Sequence, residues 1–336
     1  MQLTANTSLY TAIIARMEKK TDWVNKFSGE GVLFLTAIIW GSGFVAQRKA
    51  MDGMQPFAFV ALRFLMGALV ILPILLIRKK QSQKEQSGKE QKKDRGGQNF
   101  FKDKVLPCLL AGFFLFGGTS LQQLGIVTTS AAKSGFLTSL YLVLVPIAGL
   151  FFGKKLNRWV WLGVVMAFAG IYFLSVGIDL SIQTGDVLLL LGSLFWVFQI
   201  LTLDHYSTKM DGLTLAFGEF LTTSVLALIA SLIFETGPMI KDPSAWLPLL
   251  YSGVVVVGIA FTLQVFGQSK VDPTLASLIM GLEAVFALIS GMIFLGERLT
   301  GREFLGSALL LAAVFLVQLK GQQKKEQTES IDKTSK

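Results

Sequence analysis

Read for alternation of apolar and polar stretches, the chain separates into ten apolar runs at residues 31–47, 57–77, 105–126, 134–152, 159–176, 187–203, 213–234, 246–267, 275–295 and 304–319. A helix needs about 20 apolar residues to cross a ~30 Å hydrocarbon core, and all ten runs are close to that length. Some are β-branched, such as Val254, Val255, Val256 and Val257. Their length and the lack of period-2 alternation nevertheless predict helices rather than strands or a membrane barrel. The expected fold is therefore an all-α membrane protein with ten transmembrane helices.

Composition agrees with that expectation and narrows the chemistry. Of 336 residues, 52% are hydrophobic and 16% charged, and mean hydropathy is +0.58, beyond what a water-soluble chain of this size carries. A single cysteine, Cys108, and a single histidine, His205, leave disulfide frameworks, metal clusters and nucleophile–base triads without enough parts. His205 beside Asp204 stands at a span end, where a solvated pair is the plainer reading. No Gly-x-x-x-x-Gly-Lys-[Ser/Thr] loop is present; Gly149 to Gly153-Lys154 is one residue short. No ATPase engine, metal centre or cofactor is expected, and the chain does not read as an enzyme.

The net charge of +9 would suggest nucleic acid in a soluble domain, but here its placement matters more. Twenty-four Lys and Arg fall in the two tails and every second loop, six fall on the other side, and Arg63 lies inside a span. The positive-inside rule then places both termini in the cytoplasm of a multi-pass protein in the cytoplasmic (inner) membrane. Residues 1–28 read as a cytosolic tail without a cleavable signal. The polar, charged stretch 78–104 reads as a flexible cytosolic linker, and 321–336 as a cytosolic C-terminal tail. The partners this implies are the lipid bilayer and a small-molecule solute, with no nucleic acid. Small faces at Gly149/Gly153 and Gly163/Ala167 serve helix packing, which leaves a monomer or a homodimer open.

The chain also repeats. A shift of 156 aligns Trp40 with Trp196, Met54 with Met210 and Phe64 with Phe220. Farther along, Leu106-Pro107 matches Leu247-Pro248 at a shift of 141, and Gly153, Leu156 and Gly163 match Gly296, Leu299 and Gly306 at 143. The 78–104 insertion in the first copy accounts for the change. The repeats occupy 29–177 and 178–320. Each holds five spans, an odd number, so the second copy enters the bilayer from the opposite side. Inverted repeats supply two conformations of similar energy that open a shared cavity to either face, an arrangement suited to transport.

Three segments resemble the EamA-like ten-helix branch of the drug/metabolite transporter superfamily. They are Ile39-Trp40-Gly41-Ser42-Gly43-Phe44-Val45, Ala61-Leu62-Arg63-Phe64-Leu65, and Leu295-Gly296-Glu297-Arg298-Leu299-Thr300 followed by Gly306. The first copy departs from the pattern with Phe152-Gly153-Lys154-Lys155-Leu156 where the family usually keeps a Glu-Arg pair. The resemblance implies ten helices around a central cavity. It also implies export or uptake of small metabolites, often amino acids, driven by proton or substrate gradients.

Of the charged residues, only Arg63, Glu219 and Glu283 lie well inside spans. A charge near the bilayer centre costs roughly 2.5–3.5 kcal/mol on insertion scales, so each needs a partner or an aqueous cavity. Arg63 and Glu219 are repeat equivalents and read as an intramembrane charge network, whether structural or functional. Glu283 is too deep to snorkel. It is the leading candidate for solute or proton binding, or for a pair with Arg63, Lys133 or a glutamine. Trp40 and Trp196, mid-span rather than at the headgroup belt, and the amides Gln123, Gln199 and Gln264 complete the candidate pathway; Gln47 and Gln122 add further amides. The functional expectation is a secondary transporter of a small organic metabolite, an amino acid or drug-like solute, working by alternating access with proton or exchange coupling. The alternative is a passive facilitator or channel.

Overall fold

The computed structural model describes residues 29–87, 101–128, 131–151, 157–175, 184–295 and 300–334. The N-terminal tail 1–28, linker residues 88–100, the Gly-Lys-Lys-Leu segment within 152–156 and residues 296–299 lie outside these. The described residues are helical, with one isolated antiparallel bridge, Met54–Ile240, and no strands.

The helices follow the predicted runs. In chain order, α1 (Gly29–Ala50), α2 (Pro56–Ser87) and α3 (Leu106–Thr128) form the first three spans. The fourth span is broken into α4 (Ala131–Thr138) and α5 (Tyr141–Phe151). Then come α6 (Arg158–Ser175), α7 (Thr184–Tyr206) and α8 (Gly212–Phe234). The eighth span runs through α9 (Trp246–Leu250), a π-helical stretch Tyr251–Phe261 and α10 (Thr262–Gln268). The ninth is broken into α11 (Pro273–Met280) and α12 (Glu283–Leu295), and α13 (Gly301–Thr334) is the tenth. Seven helical stretches are long and apolar enough to cross a membrane. Three shorter apolar ones, Tyr141–Phe151, Arg158–Gly170 and Phe304–Val317, accompany them.

Two boundaries differ from the sequence reading. The flexible linker expected from residue 78 is helical as far as Ser87, and the tail expected from residue 321 continues α13 to Thr334. Both extensions are rich in Lys, Gln and Glu, which lose little freedom in a helix and so carry it past the membrane edge. Pro73 and Pro146 lie inside continuous helices.

The bundle is inside-out relative to a soluble protein. Leu232, Ile233 and Phe234 are about 70% exposed, while Arg63, Gln123, Gln199, Glu219, Gln264 and Glu283 are buried. Lipid can cover the first set, and the second must be satisfied among the helices.

The two halves pack through a pseudo-two-fold axis. The first span packs on the eighth and ninth, and the sixth on the third and fourth. The second and seventh pack on each other, as do the fourth and ninth and the fifth and tenth. Exchanging the halves returns the same set of pairs. A Cβ on Gly29 would lie 3.2 Å from the carbonyl oxygen of Gly267, and one on Gly185 would lie 2.7 Å from that of Gly125. The repeat shifts carry the first pair onto the second within one residue. A Cβ on Gly253 would meet the carbonyl of Arg63 at 3.2 Å, and one on Gly112 that of Glu219 at 2.8 Å. Arg63 and Glu219 are therefore equivalent in space as well as in sequence.

The breaks in the fourth and ninth spans also correspond. They fall at Ser139-Leu140 and Gly281-Leu282 and pack against one another. Gly163 and Ala167, the small face expected to serve packing, receive the tenth span, with a Cβ on Gly163 reaching Val317 at 2.3 Å.

Candidate functional site

The polar groups that the apolar spans carry at such cost converge between the halves. A central cavity is lined by Trp40, Arg63, Tyr141, Trp196, Gln264 and Glu283, with Gln47, Thr119, Gln122, Thr138 and Phe261 completing its wall. Space for a water centre amounts to about 20 Å³, room for about one water. The conformation described is thus contracted at its centre.

Glu283 occupies the first turn of α12, just past the break in the ninth span. The partner it finds there is the facing break. Tyr141 Oη donates to Glu283 Oε1 at 3.0 Å, and Ser139 Oγ lies 3.5 Å from the same oxygen. No hydrogen bond or ion pair joins Glu283 to Arg63 among the described residues; the Lys133 side chain lies outside them. Two facing irregular turns thus place a carboxyl group and a tyrosine hydroxyl at the cavity wall.

The two tryptophans meet across the axis. Their ring centroids are 6.1 Å apart, and Phe261 lies 4.7 Å from Trp40 and 5.9 Å from Trp196, nearly parallel to the latter at 22°. Both indole Nε1 atoms are buried without a hydrogen-bond partner among the described residues. An unmatched buried donor costs about 1–3 kcal/mol, so a solute that accepts from it gains that much.

Arg63 and Glu219 do not pair with each other. Arg63 is 2% exposed, stacks over Phe59 and Phe64 at 5.2 and 5.1 Å, and leaves Nε without a partner at the cavity. Glu219 does not line the cavity. Its Oε1 accepts from Gln199 Nε2 at 2.7 Å, and Oε2 has no partner. The two halves differ here in sequence: the repeat equivalent of Gln199, which bonds Glu219, is Gly43. Neither charge snorkels to a headgroup.

The amides divide. Gln264 lines the cavity and pairs with Gln199, its Nε2 donating to Gln199 Oε1 at 3.2 Å. Gln199 stands one layer behind. Gln123 lies off the wall, with Nε2 3.4 Å from the Gln47 carbonyl, while Gln122 on the wall donates to Gln47 Oε1 at 3.2 Å. Tyr141, Ser139, Thr119, Thr138 and Phe261 were not singled out by the sequence.

The two ends of the bundle differ. At one, Lys241 N–H and Asp242 N–H donate to the Gly53 carbonyl at 2.8 and 3.2 Å, and Gln55 Nε2 donates to the Thr236 carbonyl at 2.6 Å. Glu235 caps the start of α2, accepting from Phe57 N–H at 2.6 Å and Ala58 N–H at 2.9 Å. At the pseudo-equivalent end, Asp103, Lys104, His205, Lys209 and Asp211 line a cleft of about 740 Å³, with Arg78 Nη1 4.0 Å from Asp211 Oδ1 at this end. Asp242, exposed at the sealed end, is held below the usual carboxylate range by its hydrogen bonds from Ser244.

The same two-copy layout is found in known proteins. The family model of the EamA-like transporters matches twice, over residues 27–176 and 183–319. This chain belongs to the EamA-like transporter family. It is 32% identical to an uncharacterized transporter of Archaeoglobus fulgidus over 86% of this chain and 85% of that one. It is 26% identical to the uncharacterized inner membrane transporter YedA of Escherichia coli, over 86% and 90%. The threonine/homoserine exporter RhtA of Salmonella typhimurium is 30% identical over 64% of this chain and 71% of its own. A crystal structure of another protein at 18% identity superposes with a TM-score of 0.69, covering 88% of this chain and 98% of that one, and so has the same fold. An EamA-like membrane transporter is thus the protein's class, in the drug/metabolite transporter superfamily.

Proposed function

We propose that this transporter moves a small zwitterionic or carboxylate-bearing metabolite, an amino acid in the simplest case, across the cytoplasmic membrane by alternating access coupled to protons or to counter-solute. The observation that carries the reading is the central cavity's chemistry. Arg63, Trp40 and Trp196 line the wall and carry Nε and indole N–H groups without a partner among the described residues, while Glu283 supplies an acceptor held by Tyr141. A carboxylate suits the donors, an ammonium suits Glu283, and the aromatic face of Trp40, Trp196 and Phe261 suits an aliphatic stem. The named substrates of the RhtA relative have this form.

Alternating access is supported by the unequal ends of a pseudo-symmetric bundle, one sealed and one cleft. In the orientation the basic loops favour, with both termini cytoplasmic, the sealed end faces outward. The repeats 29–177 and 178–320 are the two bodies that exchange conformation, with the terminal segments on the cytoplasmic side.

Counterflow in proteoliposomes with radiolabelled L-threonine, L-homoserine and cationic drugs tests the class of solute and mechanism. A channel gives no counterflow. Glu283→Gln is expected to abolish or uncouple transport while the protein stays folded by thermal unfolding in detergent. An unaltered rate and pH dependence would remove Glu283 from the mechanism.

A further inference from the structure

Glu219 is a buried carboxylate that the solute site does not use. It is 0% exposed, no cation pairs with it among the described residues, and one of its oxygens has no partner. What distinguishes it from an inert buried acid is where its one side-chain contact leads. Gln199 Nε2 donates to Glu219 Oε1 at 2.7 Å, Gln264 Nε2 donates to Gln199 Oε1 at 3.2 Å, and Gln264 is part of the cavity wall. Two amides in series connect the acid to the cavity wall.

We propose that Glu219 is a proton-binding positioning residue whose protonation reverses this amide pair and so changes what Gln264 offers the solute. An ionised carboxylate only accepts, so Gln199 must turn its NH₂ toward Glu219 and its carbonyl toward Gln264. Gln264 then spends an N–H on Gln199 and leaves its carbonyl oxygen as the more available edge, the return contact from Gln199 being long at 3.5 Å. When Glu219 takes a proton, the new hydroxyl needs an acceptor. Oε2 has none beside it, whereas on the Oε1 side the Gln199 carbonyl supplies one once the amide rotates by half a turn. Gln199 NH₂ then faces Gln264, which turns its carbonyl inward and its NH₂ toward the cavity. The proton comes from water admitted when the cavity opens, and no other bond is made or broken.

The consequence has a definite sign. The wall already presents unpartnered donors at Arg63, Trp40 and Trp196, and protonation adds Gln264 to them. Binding of a carboxylate-bearing solute therefore strengthens as pH falls. The groups that face Glu219 are few. Gln199 and Gln264 on the sixth and eighth spans are neutral, and the Cys108 thiol on the third lies within its electrostatic reach. On the second span Arg63 is directed to Phe59, Phe64 and the cavity. Glu283, the other buried acid, is held by Tyr141 and has no hydrogen bond to this chain of amides among the described residues.

This inference rests on the proton-coupled transport reading, and the test separates the two. KM and kcat for L-threonine counterflow are measured from mildly alkaline to mildly acidic pH in the wild type, Glu219→Gln and Gln199→Leu. The wild-type KM is expected to fall about 2- to 13-fold toward acid, the value of one neutral hydrogen bond, with kcat little changed. Glu219→Gln, whose own NH₂ can donate to Gln199, should lose this 2- to 13-fold component and keep the tighter binding toward alkaline pH, and Gln199→Leu should lose the same component, leaving only the pH dependence that Glu283 contributes. A wild-type pH dependence that survives intact in Gln199→Leu overturns the amide relay and leaves transport standing. A flat wild-type KM together with no proton-driven accumulation overturns the coupled reading itself. Infrared difference spectra on acidification read the proton without transport: a buried carboxylic acid band that is lost in Glu219→Gln and kept in Glu283→Gln is expected, and a spectrum unchanged by Glu219→Gln overturns the assignment.

Discussion

Arg63→Met separates binding from folding at a single position. The guanidinium is stacked on Phe59 and Phe64 and has an unpartnered Nε at the cavity. Two cation–π contacts of about 0.5–2 kcal/mol each are lost. Against them, removing a buried donor without a partner relieves about 1–3 kcal/mol, and methionine fills similar space flexibly. These nearly offset, so thermal unfolding in detergent should shift by only a few degrees.

Solute binding has no such compensation. A hydrogen bond between a guanidinium and a carboxylate contributes about 1.5–3 kcal/mol, and each 1.36 kcal/mol is a factor of ten. KM for L-threonine counterflow should therefore rise roughly 10- to 150-fold. Its decarboxylated counterpart, 1-aminopropan-2-ol, lacks the group that Arg63 holds, and any transport of it should be unaffected. Arg63→Lys keeps the charge without the planar fork and should fall between. An equal KM increase for both solutes, or none for threonine, would refute the assignment of Arg63 to the carboxylate.

Two further predictions concern the frame that holds the cavity. Gly185→Ala places a Cβ 2.3 Å from Thr128 Oγ1 and 2.7 Å from the Gly125 carbonyl, which must move; overpacking of this kind costs about 1–3 kcal/mol, read as a lower unfolding midpoint. Gly301→Ala, with nothing within 4 Å of the new methyl, is the neutral control. Glu235→Ala removes the cap on Phe57 and Ala58 together with the bond from Ser231 Oγ at 2.7 Å. Cap losses of about 0.5–2 kcal/mol predict up to roughly 30-fold faster hydrogen exchange at those two amides, and unchanged exchange would show that the seal does not depend on this carboxylate.

The sequence by itself determined the helical membrane class, the ten apolar runs, the two-copy layout and the presence of three costly charges. Each of these is written in one dimension: burial in lipid demands long apolar runs, and a charge inside one stands out because its energetic cost is high. Hydroxyls leave no such mark. Thr119 Oγ1 bonds the Leu115 carbonyl at 2.7 Å and Ser139 Oγ the Gly135 carbonyl at 2.7 Å within their own helices, so they reach the cavity region at little cost. Tyr141 likewise reads as one more aromatic in an apolar run until the fourth and ninth helices are seen to break opposite each other. The tertiary structure alone decided that Glu283 meets Tyr141, that Arg63 faces the cavity, and that Glu219 stands behind Gln199. Those outcomes depend on which helices cross at the pseudo-two-fold axis, pairings between residues far apart in the chain that periodicity does not encode.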